Sequence, residues 1–158
     1  MLEVFGGLIE LKDMHTDIAR QTESARTIGR TGRACPRILL VDDNVDLLVV
    51  LASALRMKGY DVVTAGNGAE ALQCAQSEPF HFLVTDIIMP EKEGLETIMS
   101  FRRLNASISV IAMSGGGRIS AEEQLRLADK MGVLATLRKP FSVGDLIGII
   151  ESECRTAA

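Results

Sequence analysis

Four apolar runs of this chain end in residues that can do chemistry. Asp42 and Asp43 follow the run that starts at Ile38, and Asp86 follows Phe82-Leu83-Val84-Thr85. Ser114 follows the run from Ile108 to Met113 and precedes three glycines, and Lys139-Pro140 comes just after the run from Val133 to Leu137. If these ends meet, three carboxylates share one crevice, and they cannot all stay ionised there without a cation. The ligands on offer are oxygens, with no His or Cys beside them. That suits Mg²⁺, which keeps several waters and takes a few carboxylates plus phosphate oxygens. Lys139 and the Ser114 hydroxyl then remain to hold the other oxygens of a phosphoryl group. An Asp carboxylate so placed can attack phosphorus and form an acyl phosphate.

Bringing these ends together is the task of the fold. The four runs, with Asp61-Val62-Val63-Thr64-Ala65, read as five strands, and helical patterns lie between and after them. Leu47, Val50, Leu51, Ala54 and Leu55 recur at helical spacing, closed by Gly59. Asn67 precedes a second helix, with Glu70 three residues on, and Gly94 to Leu104 forms a third. Ser120-x-x-Glu123 opens a fourth helix that Gly132 ends. Ser142-x-x-Asp145 opens a fifth, whose inner face is Val143, Leu146, Ile147 and Ile150. Strands that are continuous apolar runs, rather than alternating ones, belong to a parallel sheet covered on both faces. The expected architecture is therefore α/β, a doubly wound five-stranded parallel sheet with five helices. In such sheets ligands bind beyond the carboxyl ends of the strands.

Composition narrows the function classes. Acidic residues outnumber basic ones, 21 to 17, which argues against a general nucleic-acid binder. No apolar run is as long as a membrane span, and Glu3 stands where a signal peptide carries basic residues. Cys35, Cys74 and Cys154 are far apart, with no C-x-x-C spacing, and read as reduced thiols of a cytoplasmic protein. Two histidines, His15 and His81, leave little for a His-based metal site. Residues 1–36 read as an N-terminal extension, either a flexible arm or a short helix carrying Leu8, Leu11, Met14 and Ile18.

Four segments resemble the signature of response-regulator receiver domains of two-component signalling, of the single-domain, chemotaxis-regulator-like type. They are Val41-Asp42-Asp43-Asn44, Thr85-Asp86-Ile87-Ile88-Met89-Pro90, Ala112-Met113-Ser114-Gly115 and Leu137-Arg138-Lys139-Pro140-Phe141. The resemblance spans residues 37–153, with 154–158 as a tail, and implies a flavodoxin-like sheet in strand order 2-1-3-4-5. It implies that Asp86 is phosphorylated, and that Asp43 and Asp86 bind Mg²⁺ directly and Asp42 directly or through water. Ile88 would add its backbone carbonyl to the metal. Lys139 would pair with Asp86 at rest and with the phosphoryl group afterwards. Ser114 would hydrogen-bond a phosphoryl oxygen and draw its loop inward, and Pro140 would follow a cis peptide bond that aims the lysine. Ile88 and Gly116, at positions that flank the path of the hydrolytic water in the family, offer that water no polar side chain, so the acyl phosphate is expected to be long-lived.

One position departs from the family pattern. Three residues before the lysine, where the family usually has Tyr or Phe, stands Thr136, so transmission by an aromatic rotamer cannot operate. The expected function is that of a phospho-accepting response regulator, which takes a phosphoryl group from a histidine kinase or histidine phosphotransfer protein. It catalyses its own phosphorylation and dephosphorylation without being a turnover enzyme. Nineteen residues follow Lys139, room for one helix and a tail, so signalling is expected through protein contacts with an unnamed target and no output domain. Neither nucleic acid nor membrane is an expected partner; a homodimer is a possible one. The alternative is a receiver-like dimerisation module, built on its last two helices, with little or no phosphorylation.

Overall fold

The computed structural model describes residues 35–87, 94–115 and 120–156. Among them, strands and helices strictly alternate: β1 (Arg37–Val41), α1 (Val45–Met57), β2 (Asp61–Ala65), α2 (Gly68–Ser77), β3 (Phe82–Asp86), α3 (Gly94–Leu104), β4 (Ser109–Ser114), α4 (Ala121–Lys130), β5 (Ala135–Arg138) and α5 (Val143–Thr156). All four strand pairings are parallel, and the sheet order is β2-β1-β3-β4-β5. This is the doubly wound, five-stranded sheet in 2-1-3-4-5 order. The expectations for residues 1–34, for Ile88 and for Gly116 lie outside the described residues. None of the described helices is long and apolar enough to cross a membrane.

Continuous apolar strands are buried on both faces because successive side chains point to opposite sides. Ile38, Leu40, Phe82, Val84, Ile111, Met113 and Leu137 pack on one side with Leu48, Leu51 and Leu55 of α1 and Leu146 and Ile150 of α5. Leu39, Val41, Leu83, Val110 and Ala112 pack on the other with Ala71 of α2, Ile98 and Phe101 of α3, and Ala128 of α4. Two helices thus cover one face and three the other. Each fully buried Leu or Ile contributes on the order of 1.5–3 kcal/mol relative to exposure.

Local signals set the helix ends. The Asn44 side chain accepts from Leu47 N at 3.1 Å and the Asn67 side chain from Glu70 N at 2.9 Å. Ser142 and Asp145 form a reciprocal capping box: Asp145 N donates to Ser142 Oγ at 3.1 Å and Ser142 N to Asp145 Oδ2 at 2.9 Å. The Ser142 backbone N–H, and after it the Ser142 side chain, hold the Asp145 carboxyl below its ordinary range. Ser120 Oγ accepts from Glu123 N at 3.2 Å ahead of α4. Gly59 (φ +92°) and Gly132 (φ +70°) follow α1 and α4 in the left-handed conformation that glycine adopts without strain.

Two readings need correction. The inner face of α1 is Leu48, Leu51, Ala52 and Leu55, and Val50 is 56% exposed. Positions 47 to 52 are all apolar, so the sequence gives the helix no clear phase, and contact with β2 and α5 decides it. β5 begins at Ala135 rather than Val133; Leu134 N reaches Val110 O at 2.7 Å, but the ladder register starts with Ile111 opposite Ala135.

Candidate functional site

The carboxyl ends of β1, β3, β4 and β5 meet on one rim. β1 ends at Val41, so the next two residues, Asp42 and Asp43, leave the sheet beside Asp86, the last residue of β3. One carboxylate oxygen from each of Asp42, Asp43 and Asp86 lies within 4.8 Å of the others. Asp42 is fully buried, Asp86 nearly so, and Asp43 faces solvent. Asp42 is held at both ends: its backbone N donates to Ala65 O at 3.2 Å, and its Oδ1 accepts from Asn44 N at 2.9 Å. Asn44 in turn caps α1, so the start of that helix fixes the acidic pair.

Lys139 comes in from the loop after β5. Its Nζ donates to Asp42 Oδ2 at 2.6 Å and to Asp86 Oδ2 at 2.7 Å. Its backbone N donates to Ser114 O at 2.8 Å, which ties the ends of β4 and β5 together, and the Lys139–Pro140 peptide bond is cis. Burial alone pushes the ammonium down, but the bonds to Asp42 and Asp86, with their charges, outweigh it and leave its pKa above the ordinary lysine value. Ser114 is fully buried at the end of β4. Thr136 sits half-buried on β5, opposite Ala112. Of the sequence-read site residues, Asp42, Asp43, Asp86 and Lys139 come together, Ser114 is joined to Lys139 through the backbone, and Thr136 lies two to three residues back along β5. Pairing of Lys139 with Asp42 was not expected from the sequence, where Asp86 alone is the implied partner.

The donor set fits Mg²⁺. With metal–oxygen distances of about 2.1 Å, opposite ligands of an octahedral ion lie about 4.2 Å apart, close to the spread of the three carboxylates. Exposure of Asp43 leaves the outer side of the cluster open to water and phosphate.

Two further contacts escaped the sequence reading. Gly94 N donates to Ile87 O at 2.9 Å, and a Cβ on Gly94 would lie 2.0 Å from Asp86 O and 2.6 Å from Ile87 Cα. The first residue of α3 therefore rests directly on the backbone at Asp86. A glycine opening an amphipathic helix was its only trace in the sequence. Arg138, at the end of β5, forms an ion pair with Glu122 in the first turn of α4.

This fold and this rim agree with a sequence-family match. The profile of the response regulator receiver domain matches residues 38–151. The chain belongs to the response regulator receiver family. It is similar to the response regulator receiver protein CpdR of Brucella abortus, 34% identical over 115 residues, 73% of this chain and 93% of that protein. It also matches longer transcriptional regulators, such as the CpxR homolog of Haemophilus influenzae, of which it covers 52%. Among solved structures, a CheY-like receiver domain protein from Methanospirillum hungatei has a TM-score of 0.69 at 28% identity, covering 75% of this chain and 93% of that one. A response regulator from Burkholderia pseudomallei, solved with a phosphorylated aspartic acid, calcium ion and citrate, has a TM-score of 0.64 at 28% identity, covering 77% and 73%. The receiver domain is thus the component of two-component systems that this chain supplies.

Proposed function

We propose that this response regulator accepts a phosphoryl group on Asp86 in a Mg²⁺-dependent reaction, from a histidine kinase or histidine phosphotransfer protein, and signals in the cytoplasm through protein contacts. In this reading residues 37–153 are the receiver, flanked by an extension and a short tail. The observation that carries it is Lys139 Nζ bridging Asp42 and Asp86 at 2.6 and 2.7 Å, with Asp43 in the same cluster. The phosphorylated aspartic acid of the Burkholderia relative supports the same chemistry.

A carboxylate oxygen of Asp86 attacks phosphorus, the new O–P bond forms as the P–N bond to the donor histidine breaks, and the imidazole leaves. Mg²⁺, held by Asp43 and Asp86 with Asp42 directly or through water and by the Ile88 carbonyl, would neutralise charge on the transferring group. Lys139 moves its donors from Asp86 to a phosphoryl oxygen. The Ser114 hydroxyl takes another oxygen, and the loop behind it follows. Asn44 and the α1 cap keep Asp42 and Asp43 in place throughout. With Thr136 in place of an aromatic, the signal leaves through the Ser114 loop, whose far end is α4, linked to β5 by Glu122 and Arg138.

Incubation with acetyl phosphate and Mg²⁺ should add one phosphoryl group to the intact mass of the wild type and none to Asp86→Asn. Equal labelling of both proteins would remove Asp86 as the acceptor. A companion measurement addresses the metal: Mg²⁺ at about 100 times its Kd should stabilise the wild type by about 2.7 kcal/mol, seen as a rise in Tm. Asp43→Ala, which loses one of few anionic ligands, should show a much smaller rise at the same concentration; an unchanged rise would displace Asp43 from the ligand set.

A further inference from the structure

Thr85 is a fully buried polar residue in the middle of an apolar sheet. Its register partners are Val41 of β1 and Ala112 of β4, so its side chain belongs to the face that α2, α3 and α4 cover. Leu39, Leu83 and Val110, one step back along the same three strands, are apolar too. A valine would fill this place with the same shape and bury no polar atom, and β-branched apolar residues suit a central strand. Packing therefore does not ask for the hydroxyl, and burying one costs free energy unless it is hydrogen-bonded.

The Thr85 hydroxyl donates to the Asp86 carbonyl oxygen at 3.0 Å. That oxygen belongs to the peptide unit that joins Asp86 to Ile87. The N–H of the same unit donates to Met113 O at 2.9 Å. β4 thus holds one side of the peptide plane, and Thr85 holds the other. The β1–β3 register ends with Val41 opposite Thr85, one residue before Asp86, so the hydroxyl acts just where that ladder stops. Gly94 closes against the same carbonyl, with room for no side-chain atom between them, and the plane cannot tilt toward α3. Successive strand side chains point to opposite faces. Thr85 therefore acts from the α3 side, while the Asp86 carboxylate turns to Lys139.

We propose that Thr85 is a positioning residue for phosphoryl transfer: its hydroxyl fixes the Asp86–Ile87 peptide plane and so aims the Asp86 carboxylate at the incoming phosphorus. The inference rests on Asp86 being the acceptor, and it adds a residue that touches neither phosphate nor metal. Without the hydroxyl, the plane is held through the Met113 bond and can rock about it, carrying the start of the Asp86 side chain along. Misplacement of a reacting group by about 1 Å costs on the order of 10²-fold in rate; rocking of one peptide moves the carboxylate by less, so the loss should be about tenfold.

Two variants separate the hydroxyl from the methyl. Thr85→Val keeps the volume and loses the bond, whereas Thr85→Ser keeps the bond and loses the methyl. Both should melt below the wild type, the first through the lost bond and the second through a small cavity. Labelling by acetyl phosphate is then timed with Mg²⁺ saturating and well below each protein's Tm. Thr85→Val should label slower than the wild type by about tenfold, and Thr85→Ser should label close to the wild-type rate. A residue that only packs would slow both variants or neither. Amide hydrogen exchange at Ile87, read without phosphodonor, should quicken in Thr85→Val and not in Thr85→Ser. A folded Thr85→Val that labels as fast as the wild type, or a Thr85→Ser that labels as slowly as Thr85→Val, would overturn the proposal and leave Asp86 as the acceptor. A wild type that takes up no phosphoryl group would instead overturn the acceptor assignment, and the proposal with it.

Discussion

Lys139→Met should lose about 3 kcal/mol of stability in metal-free buffer, a fall in Tm of roughly 10 °C for a domain of this size. The lysine donates to the fully buried Asp42 and the nearly buried Asp86 at once. Without it, two buried carboxylates lose their cation while Asp43 remains within 4.8 Å, so the variant keeps the repulsion and loses the attraction. Methionine retains the apolar stem, so lost packing does not confuse the comparison. The pH profile identifies the cause. The pKa of Lys139 is raised in the fold, so its contribution is fully present below the unfolded-chain value of about 10.4 and is lost as pH rises through the higher folded value. The gap between wild type and variant should therefore stay nearly constant from roughly pH 7 to 9 and close only in strong alkali. Mg²⁺ restores positive charge to the cluster, so it should raise the Tm of Lys139→Met more than that of the wild type. Phosphorylation by acetyl phosphate should remain slower by about 10²-fold even in saturating Mg²⁺, because a fixed donor to the phosphoryl oxygens is gone. A variant that melts with the wild type in metal-free buffer would mean that the three carboxylates do not depend on the lysine for their charge balance.

The site was legible where its residues stand at strand ends. Ile38 to Val41 are each fully buried, as a continuous apolar run requires, and the chain can place a pair of aspartates at the rim only where that run stops. Asn67, Ser120 and Ser142 announced their helices because capping is local, acting over three residues. What failed to show was set by tertiary contact. α1 is apolar at consecutive positions, so its pattern is compatible with more than one buried face; packing against β2 and α5 selects Leu48 and Ala52 and leaves Val50 outside. Val133 and Leu134 extend the apolar run ahead of β5, but strand pairing, not hydropathy, determines where the ladder starts. The bond from Lys139 to Asp42 joins residues 97 apart, and the pair Arg138–Glu122 depends on the relative placement of α4 and β5. No spacing rule within one element could supply either.

Gly94 is the plainest case of a residue whose role only the folded chain discloses, and replacing it should have the second large effect. α3 begins at Gly94, where its N–H bonds Ile87 O at 2.9 Å. The Asp86 carbonyl, which also accepts from Thr85 Oγ1 at 3.0 Å, faces the hydrogen that a Cβ would replace. An added methyl would sit 2.0 Å from that oxygen and 2.9 Å from the carbonyl carbon. Both neighbours are backbone, so no side chain can swing away; either α3 must lift or the end of β3 must bend. Ordinary overpacking costs about 1–3 kcal/mol, and a contact against rigid backbone belongs at the upper end, about 3 kcal/mol. Lifting α3 would also strip Ile98 and Phe101 from their places against the sheet, whereas bending β3 would shift Asp86 relative to Lys139 and Asp43. Gly94→Ala should accordingly lower Tm by roughly 10 °C and slow labelling by acetyl phosphate at temperatures where the protein is still folded. Misplacement of a reacting group by about 1 Å costs on the order of 10²-fold in rate, so the kinetic loss should exceed what the fraction unfolded explains. The measurement is a labelling time course taken well below the variant's own Tm, with Mg²⁺ saturating and helix content followed by circular dichroism. Full stability with normal labelling would mean that α3 does not rest on the backbone at Asp86, and that this glycine does nothing more than begin a helix.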